Sequence, residues 1–175
     1  MVLVCGQNCA WQLIYSFDRI NPGKVNRVQK VYRAAAGKGV NVARALTALG
    51  TPALLLAYLG GKNGKRIHKA IEKEGISSHI IEIKTDTRTC MTLIEKNEAS
   101  SERVITEIVE PAAIANEDDQ RRFTVFYEGL LDKTAAVVIA GTAIGGAHRE
   151  VYSDLIRSAR ERGIITVLDA YSDHA

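Results

Sequence analysis

The chain has 175 residues, 23 Lys and Arg against 20 Asp and Glu, 46% hydrophobic and 25% charged residues, and a net charge of +3. These proportions describe a soluble globular protein and exclude disordered, collagen-like and coiled-coil chains. The small, evenly spread charge argues against nucleic-acid or membrane partners.

At this length roughly 70% of the unfolded surface is buried on folding, so a single domain needs no disulfide or metal staple. No apolar run reaches the roughly 18 residues of a membrane helix, and the N-terminus MVLVCGQNCAWQ has no signal-peptide pattern. Cys5, Cys9 and Cys90 form neither an even set nor a CxxC pair and read as reduced thiols of a cytoplasmic protein. The four histidines, at 68, 79, 148 and 174, lack metal-ligand spacing, so no metal site is expected.

In chain order, Val2–Cys5, Leu54–Leu59, Ala135–Ala140 and Ile164–Leu168 are short, non-alternating apolar runs, as in parallel strands covered on both faces. Helices are expected between them. Gly39–Leu49 would bury Val42, Ala45, Leu46 and Leu49 and stop at Gly50, and Asn63–Glu74 would bury Ile67, Ala70 and Ile71 before Gly75. Asn116 has the pattern of an N-cap, followed by Glu117, Asp118 and Asp119 in the first turn and then Phe123, Phe126 and Leu130. A last helix, His148–Arg162, would bury Val151, Leu155 and Ala159 and end at Gly163. The alternation is that of an α/β fold. Val25–Ala34 and Ile80–Ile108 break it as partly alternating strands, clearest in Arg103–Ile108. Neither stretch is large enough to stand alone, so together they predict a small second sheet projecting from the core.

The most informative segment is Ala34-Ala-Ala-Gly-Lys-Gly-Val-Asn-Val-Ala-Arg44. Glycines on either side of Lys38, opening a helix, present bare backbone N–H groups at a positive helix end. That suits an anion or a hydroxylated ligand, or else is simply a glycine turn before a core helix. It is neither a Walker A loop, since Tyr32 and Gly39 occupy the required Gly and Ser/Thr positions, nor a dinucleotide fingerprint, since Val42 replaces the third glycine.

GKGVNVARALTALG and YLGGKNGKRIHKAIEKEGI, with NPGKVNRV at 21–28, DTRTCMTLIE at 86–95, EP at 110–111, AGTAIGG at 140–146 and RSARERGIITVLD at 157–169, resemble the PfkB (ribokinase-like) carbohydrate kinases. The similarity is greatest to the 1-phosphofructokinase, tagatose-6-phosphate kinase and minor 6-phosphofructokinase branch, and covers nearly the whole chain in order. The resemblance implies a ribokinase-like, doubly wound, mostly parallel sheet with a small β-sheet lid, its strands at about 11–34 and 80–109. The implied function is ATP-dependent phosphoryl transfer to a phosphorylated ketohexose such as fructose-1-phosphate, fructose-6-phosphate or tagatose-6-phosphate.

By the same resemblance, Gly37, Gly39 and Asn41 hold the sugar hydroxyls, while Lys24, Arg88, Arg103 and the Thr142 hydroxyl hold the substrate phosphate. Three converging cations suit a phosphate, because charge-assisted bonds are the strong ones. The NPALD-like segment of the family reads Asn8-Cys9-Ala10-Trp11-Gln12 here, so Gln12 stands at the sugar-binding Asp position, uncharged but still able to donate and accept. Ala36-Gly37 replaces the double glycine, and AGTAIGG the SGSLPPG loop.

The family's KPNxxE and GAGD motifs, which supply Mg²⁺ and ATP contacts and the general base, have no counterpart before Ala175. The expectation is therefore an N-terminal acceptor-binding portion without catalytic residues of its own, inactive alone and binding neither ATP nor Mg²⁺; Asp169 and Asp173 lack anion-hole glycines that would make them substitute bases. The alternative is a non-catalytic sugar-phosphate-binding or assembly module. Family lids clasp in pairs, and Val104, Thr106 and Ile108 form an alternating lid face, while Ile164–Leu168 is an apolar edge. Such an edge recruits other chains or aggregates, and together the two surfaces predict a homo-oligomer, most simply a dimer through the lids.

Overall fold

A computed structural model describes residues 1–28, 30–96 and 103–170; Asp173 and His174 lie outside the described residues. In chain order the elements are β1 (Val2–Gly6), β2 (Ala10–Phe17), β3 (Lys30–Ala36), α1 (Lys38–Ala48), β4 (Ala53–Gly60), α2 (Gly61–Lys73), β5 (Ser78–Ile83), β6 (Thr89–Lys96), β7 (Arg103–Val109), α3 (Glu117–Leu131), β8 (Ala136–Ala140), α4 (Val151–Glu161) and β9 (Ile165–Asp169).

The four apolar runs are strands of one five-stranded sheet of order β5-β4-β1-β8-β9, parallel at every pairing. Its strands lack alternation because both faces are covered. On one side Val4, Leu55, Ala57 and Leu59 pack with Val40 and Ala43 of α1 and Ile67 and Ile71 of α2. On the other, Leu3, Cys5, Leu56, Tyr58, Val137 and Ile139 meet Phe123, Tyr127 and Leu131 of α3 and Tyr152, Leu155 and Ala159 of α4. Tyr58 stacks on Phe123 with ring centroids 4.7 Å apart. The expected α/β architecture and projecting second sheet are therefore present. Among the described residues no helix is long and apolar enough to cross a membrane.

Asn116 caps α3 as expected: its side chain accepts from the Asp119 N–H while the Asp119 carboxylate accepts from the Asn116 N–H, a reciprocal capping box. Gly50, Gly75 and Gly163 have φ of 70°, 74° and 71°, the left-handed turn by which helices end.

Two expectations need correction. The buried stripe of α1 is Gly39, Val40 and Ala43, with Val42 and Leu46 at its margin and Ala45 and Leu49 exposed. The helix is rotated so that its glycine, not its largest side chains, faces the sheet. The lid is a four-stranded sheet of order β3-β2-β6-β7, but its strands are Ala10–Phe17, Lys30–Ala36, Thr89–Lys96 and Arg103–Val109. Residues 25–28 are not a strand, and Ser78–Ile83 belongs to the core sheet beside β4. All seven residues of β7 are exposed, so its alternating face is left uncovered within one chain, as expected.

Candidate functional site

β1 ends at Gly6 and the chain continues through Gln7, Asn8 and Cys9 into the lid. The C-terminal ends of β1, β8 and β9 there meet the N-terminus of α1, where open α/β sheets hold their ligands.

Two glycines make this meeting possible. A Cβ on Gly39 would lie 2.3 Å from the Gly6 Cα, so only glycine lets the helix start against β1. Gly37, with φ of 116°, would bring a Cβ within 3.1 Å of the Cys9 Cα and 3.2 Å of the Asn8 carbonyl oxygen. α1 has no side-chain N-cap and no acid in its first turn, which leaves its first N–H groups and the positive helix end for another partner.

Three connections hold the walls. The Asn8 Nδ2 donates to the Thr142 Oγ1 at 2.8 Å, and the Ile144 N–H donates to the Gln7 Oε1 at 3.2 Å. The Lys38 Nζ is 2.7 Å from the Asp169 Oδ1, joining the glycine turn to the end of β9. Gly141 is tied in by its N–H to the Asp169 carbonyl at 2.8 Å and by its carbonyl, which accepts from the Tyr152 hydroxyl at 3.0 Å. The Asn41 Oδ1 accepts from Arg44 at 2.7 Å.

At the root of the lid the Trp11 N–H donates to the Arg88 carbonyl at 2.9 Å. Arg88 is half-buried, and its Nε is buried with no hydrogen-bond partner. Its charge is felt by two thiols. Burial pushes the Cys9 thiol up to about 12, an effect the Arg88 guanidinium opposes, and Cys90 is likewise raised by burial and opposed first by Arg88. Gln12 sits on β2 with its Nε2 donating to the Thr92 Oγ1 at 2.9 Å.

Gly37, Gly39, Asn41 and Thr142 thus lie together, with Gln12 and Arg88 at the lid's root. Lys24 and Arg103 do not join them within one chain. Arg103 pairs with Lys96 at the far end of β6, eight residues along the chain from Arg88, a distance of roughly 25 Å at about 3.3 Å per residue. Lys24 lies in the connection between Phe17 and Lys30, at that same tip. The expected convergence of Lys24, Arg88 and Arg103 is therefore absent from a single chain, because β2 and β6 run parallel and carry their first residues to the root and their last to the tip.

Sequence reasoning did not find the roles of Gln7, Asn8 and Asp169. The available signal was two amide side chains directly after an apolar strand. Asp169 was legible only as a carboxylate at a strand's end, not as the partner of Lys38. Among the described residues no group of three or more His, Cys, Asp or Glu could hold a metal ion, and Asp169 is committed to Lys38.

The sequence pattern of the pfkB family carbohydrate kinases matches residues 3–174. Tagatose-6-phosphate kinase of Staphylococcus epidermidis is 31% identical over 170 residues, covering 97% of this chain and 53% of that protein. The crystal structure of a possible 1-phosphofructokinase from Thermotoga maritima superposes with a TM-score of 0.90 at 26% identity, over 99% of this chain and 54% of that one. The Escherichia coli phosphofructokinase-2 in complex with fructose-6-phosphate gives a TM-score of 0.82 at 26% identity, over 99% of this chain and 55% of that one. The chain spans about half the length of these relatives.

Proposed function

The chain belongs to the pfkB family of carbohydrate kinases, and from that premise we propose that it forms the acceptor-binding portion of a sugar-phosphate kinase. In this reading a phosphorylated ketohexose lies at the root of the lid. Gly37, Gly39, Asn41 and Gln12 face its hydroxyls, and Arg88 and Thr142 face its phosphate. The observation that carries the reading is the Arg88 Nε, buried without a partner at the root of the lid, where the Arg88 carbonyl accepts from the Trp11 N–H. An unsatisfied buried donor of a charged group costs on the order of 1–3 kcal/mol or more, a cost that a phosphate oxygen removes.

The branch substrates supply the candidates: fructose-1-phosphate, fructose-6-phosphate and tagatose-6-phosphate. Phosphoryl transfer rests on positioning and on neutralising the transferred group's charge. ATP with Mg²⁺ supplies that group in intact family members. No base or metal ligand set for that step is assigned among the described residues, and we propose that the chain binds acceptor without turnover. A second reading, a non-catalytic binding or assembly module, is favoured by one feature: the Gln12 amide is turned to Thr92 at the position where the family has its sugar-binding Asp.

Calorimetry on the purified chain tests the proposal. Sugar phosphates are expected to bind more tightly than their unphosphorylated parents, with Arg88→Ala removing most of that difference and ATP giving no product above blank. Equal affinity for fructose and fructose-6-phosphate overturns the binding assignment, and ATP-dependent product overturns the absence of turnover.

A further inference from the structure

Gln7 and Asn8 are consecutive polar side chains leading from β1 into the lid, and both are buried, at 0% and 9% exposure. Each grips a different point of the loop after β8: Gln7 accepts from the Ile144 N–H, and Asn8 donates to the Thr142 Oγ1. The Asn8 backbone also lies under the Gly37 turn, its carbonyl oxygen 3.2 Å from where a Gly37 Cβ would be. One dipeptide therefore sets the height of the Thr142 loop against the glycine turn.

Resting on the sugar-phosphate reading above, we propose that Gln7 and Asn8 are positioning residues for the ligand's phosphate, acting through Thr142. A hydroxyl has one proton to donate and two lone pairs. With one lone pair taken by the Asn8 Nδ2, the Thr142 proton is left to point away from Asn8, toward an acceptor such as a phosphate oxygen. Asn8 thereby makes Thr142 a donor, the polarity an anion requires, while Gln7 fixes the backbone beside it. Neither residue touches the ligand. The assignment also accounts for burying two amides: the Gln7 Nε2 and the Asn8 Oδ1 have no partner, an arrangement an apolar core would avoid unless the other half of each amide were needed.

The test measures binding of fructose-6-phosphate, fructose and inorganic phosphate to the full 175-residue chain, with thermal melting to verify folding. Asn8→Ala is expected to weaken both phosphate ligands about five- to tenfold, the worth of a typical hydrogen bond, and to leave fructose nearly unchanged. The same substitution in a Thr142→Val background is expected to cost almost nothing more, since its route is gone. Asn8→Asp keeps the shape but turns the donor into an ionised acceptor, capturing the Thr142 proton. It is expected to weaken phosphate at least as much as Thr142→Val, which guards against a failure of the alanine variant to fold. Equal losses for fructose and its phosphate, a full Asn8→Ala loss in the Thr142→Val background, or wild-type binding by Asn8→Asp each overturn the proposal. If the wild-type chain binds neither phosphate ligand, the function reading falls, and this inference with it. If the wild type discriminates but the Asn8 variants match it, only this inference falls.

Discussion

Lys38 is the one cation built into the glycine turn, and its ammonium is already engaged by Asp169. The two side chains are about half exposed, at 49% and 59%, so the pair itself adds at most about 1 kcal/mol. Its larger effect is on ligand binding, because Asp169 both neutralises Lys38 and adds a negative charge at the end of β9. Asp169→Asn is expected to tighten inorganic phosphate about two- to fivefold, consistent with the same roughly 0.2–1 kcal/mol scale, with Lys38→Met reversing the gain. Unchanged phosphate affinity in Asp169→Asn, read by calorimetry at low salt, would place Lys38 outside the anion site. The thiols give a second residue-scale test. Burial raises Cys9 from the ordinary value of 9.0 to about 12 and raises Cys5 as well, so the folded state holds protons that the unfolded state releases. Stability from these thiols is complete below pH 9 and falls as pH rises from 9 toward 12. The melting temperature is expected to drop progressively above about pH 9, and Cys9→Ala to make that drop shallower. An identical slope in Cys9→Ala would assign the alkaline loss to other groups.

At the scale of the element, the α3 capping box is the most self-contained case. Asn116→Ala removes the acceptor for the Asp119 N–H, at a cost of about 1 kcal/mol, which in a chain of this size lowers the melting temperature by roughly 2–4 °C. Asn116→Asp, which still caps, is expected to retain most of the stability; equal loss in both variants would mean that the cap is not what Asn116 supplies. That helix was legible because its start is encoded locally, by Asn116 and Asp119 three residues apart. The core strands were legible for a similar reason, since burial on both faces writes an apolar run into the sequence itself. The lid was only partly so. β2 carries Trp11, Gln12, Leu13 and Ile14 with no clean period, because its root packs on the core through Trp11 while the rest of the strand is only half-buried. β5 alternates little more than a lid strand would, and its place beside β4 follows from a pairing across the sheet rather than from its own residues. The site divides in the same way. Gly37 and Gly39 stand out because only glycine fits so close to β1, whereas the Asn8–Thr142 and Lys38–Asp169 contacts join residues separated by 134 and 131 positions, and no local pattern encodes such a meeting. The mismatch between Arg88 and Arg103 has the same origin: both are basic residues of the lid, and only the strand directions reveal that they sit at opposite ends.

For the whole molecule, the lid is the part least able to satisfy itself. The register places Leu13, Tyr15, Met91, Leu93, Val104, Thr106 and Ile108 on one face, because directly paired residues share a face. The root of that face is covered where Trp11 meets the core, but Val104 and Ile108 remain 48% and 46% exposed. A second copy of the same lid offers a complementary apolar surface, and it would also carry its own Lys24 and Arg103, the tip cations that a single chain keeps away from Arg88. At about 25 cal/mol per Å² of apolar surface, an interface of roughly 1,200 Å² is enough to offset the cost of association. The other uncovered strand, β9, exposes Ile165 and Val167 and could pair chains along its edge instead. Two variants separate these routes. Sedimentation is expected to find a dimer that Val104→Glu with Ile108→Glu converts to the 19.1 kDa monomer, while Ile165→Lys with Val167→Lys leaves it intact. Loss of the dimer only in the β9 variant would move the interface to the sheet edge, and a wild-type monomer at high micromolar concentration would reject self-association through either surface.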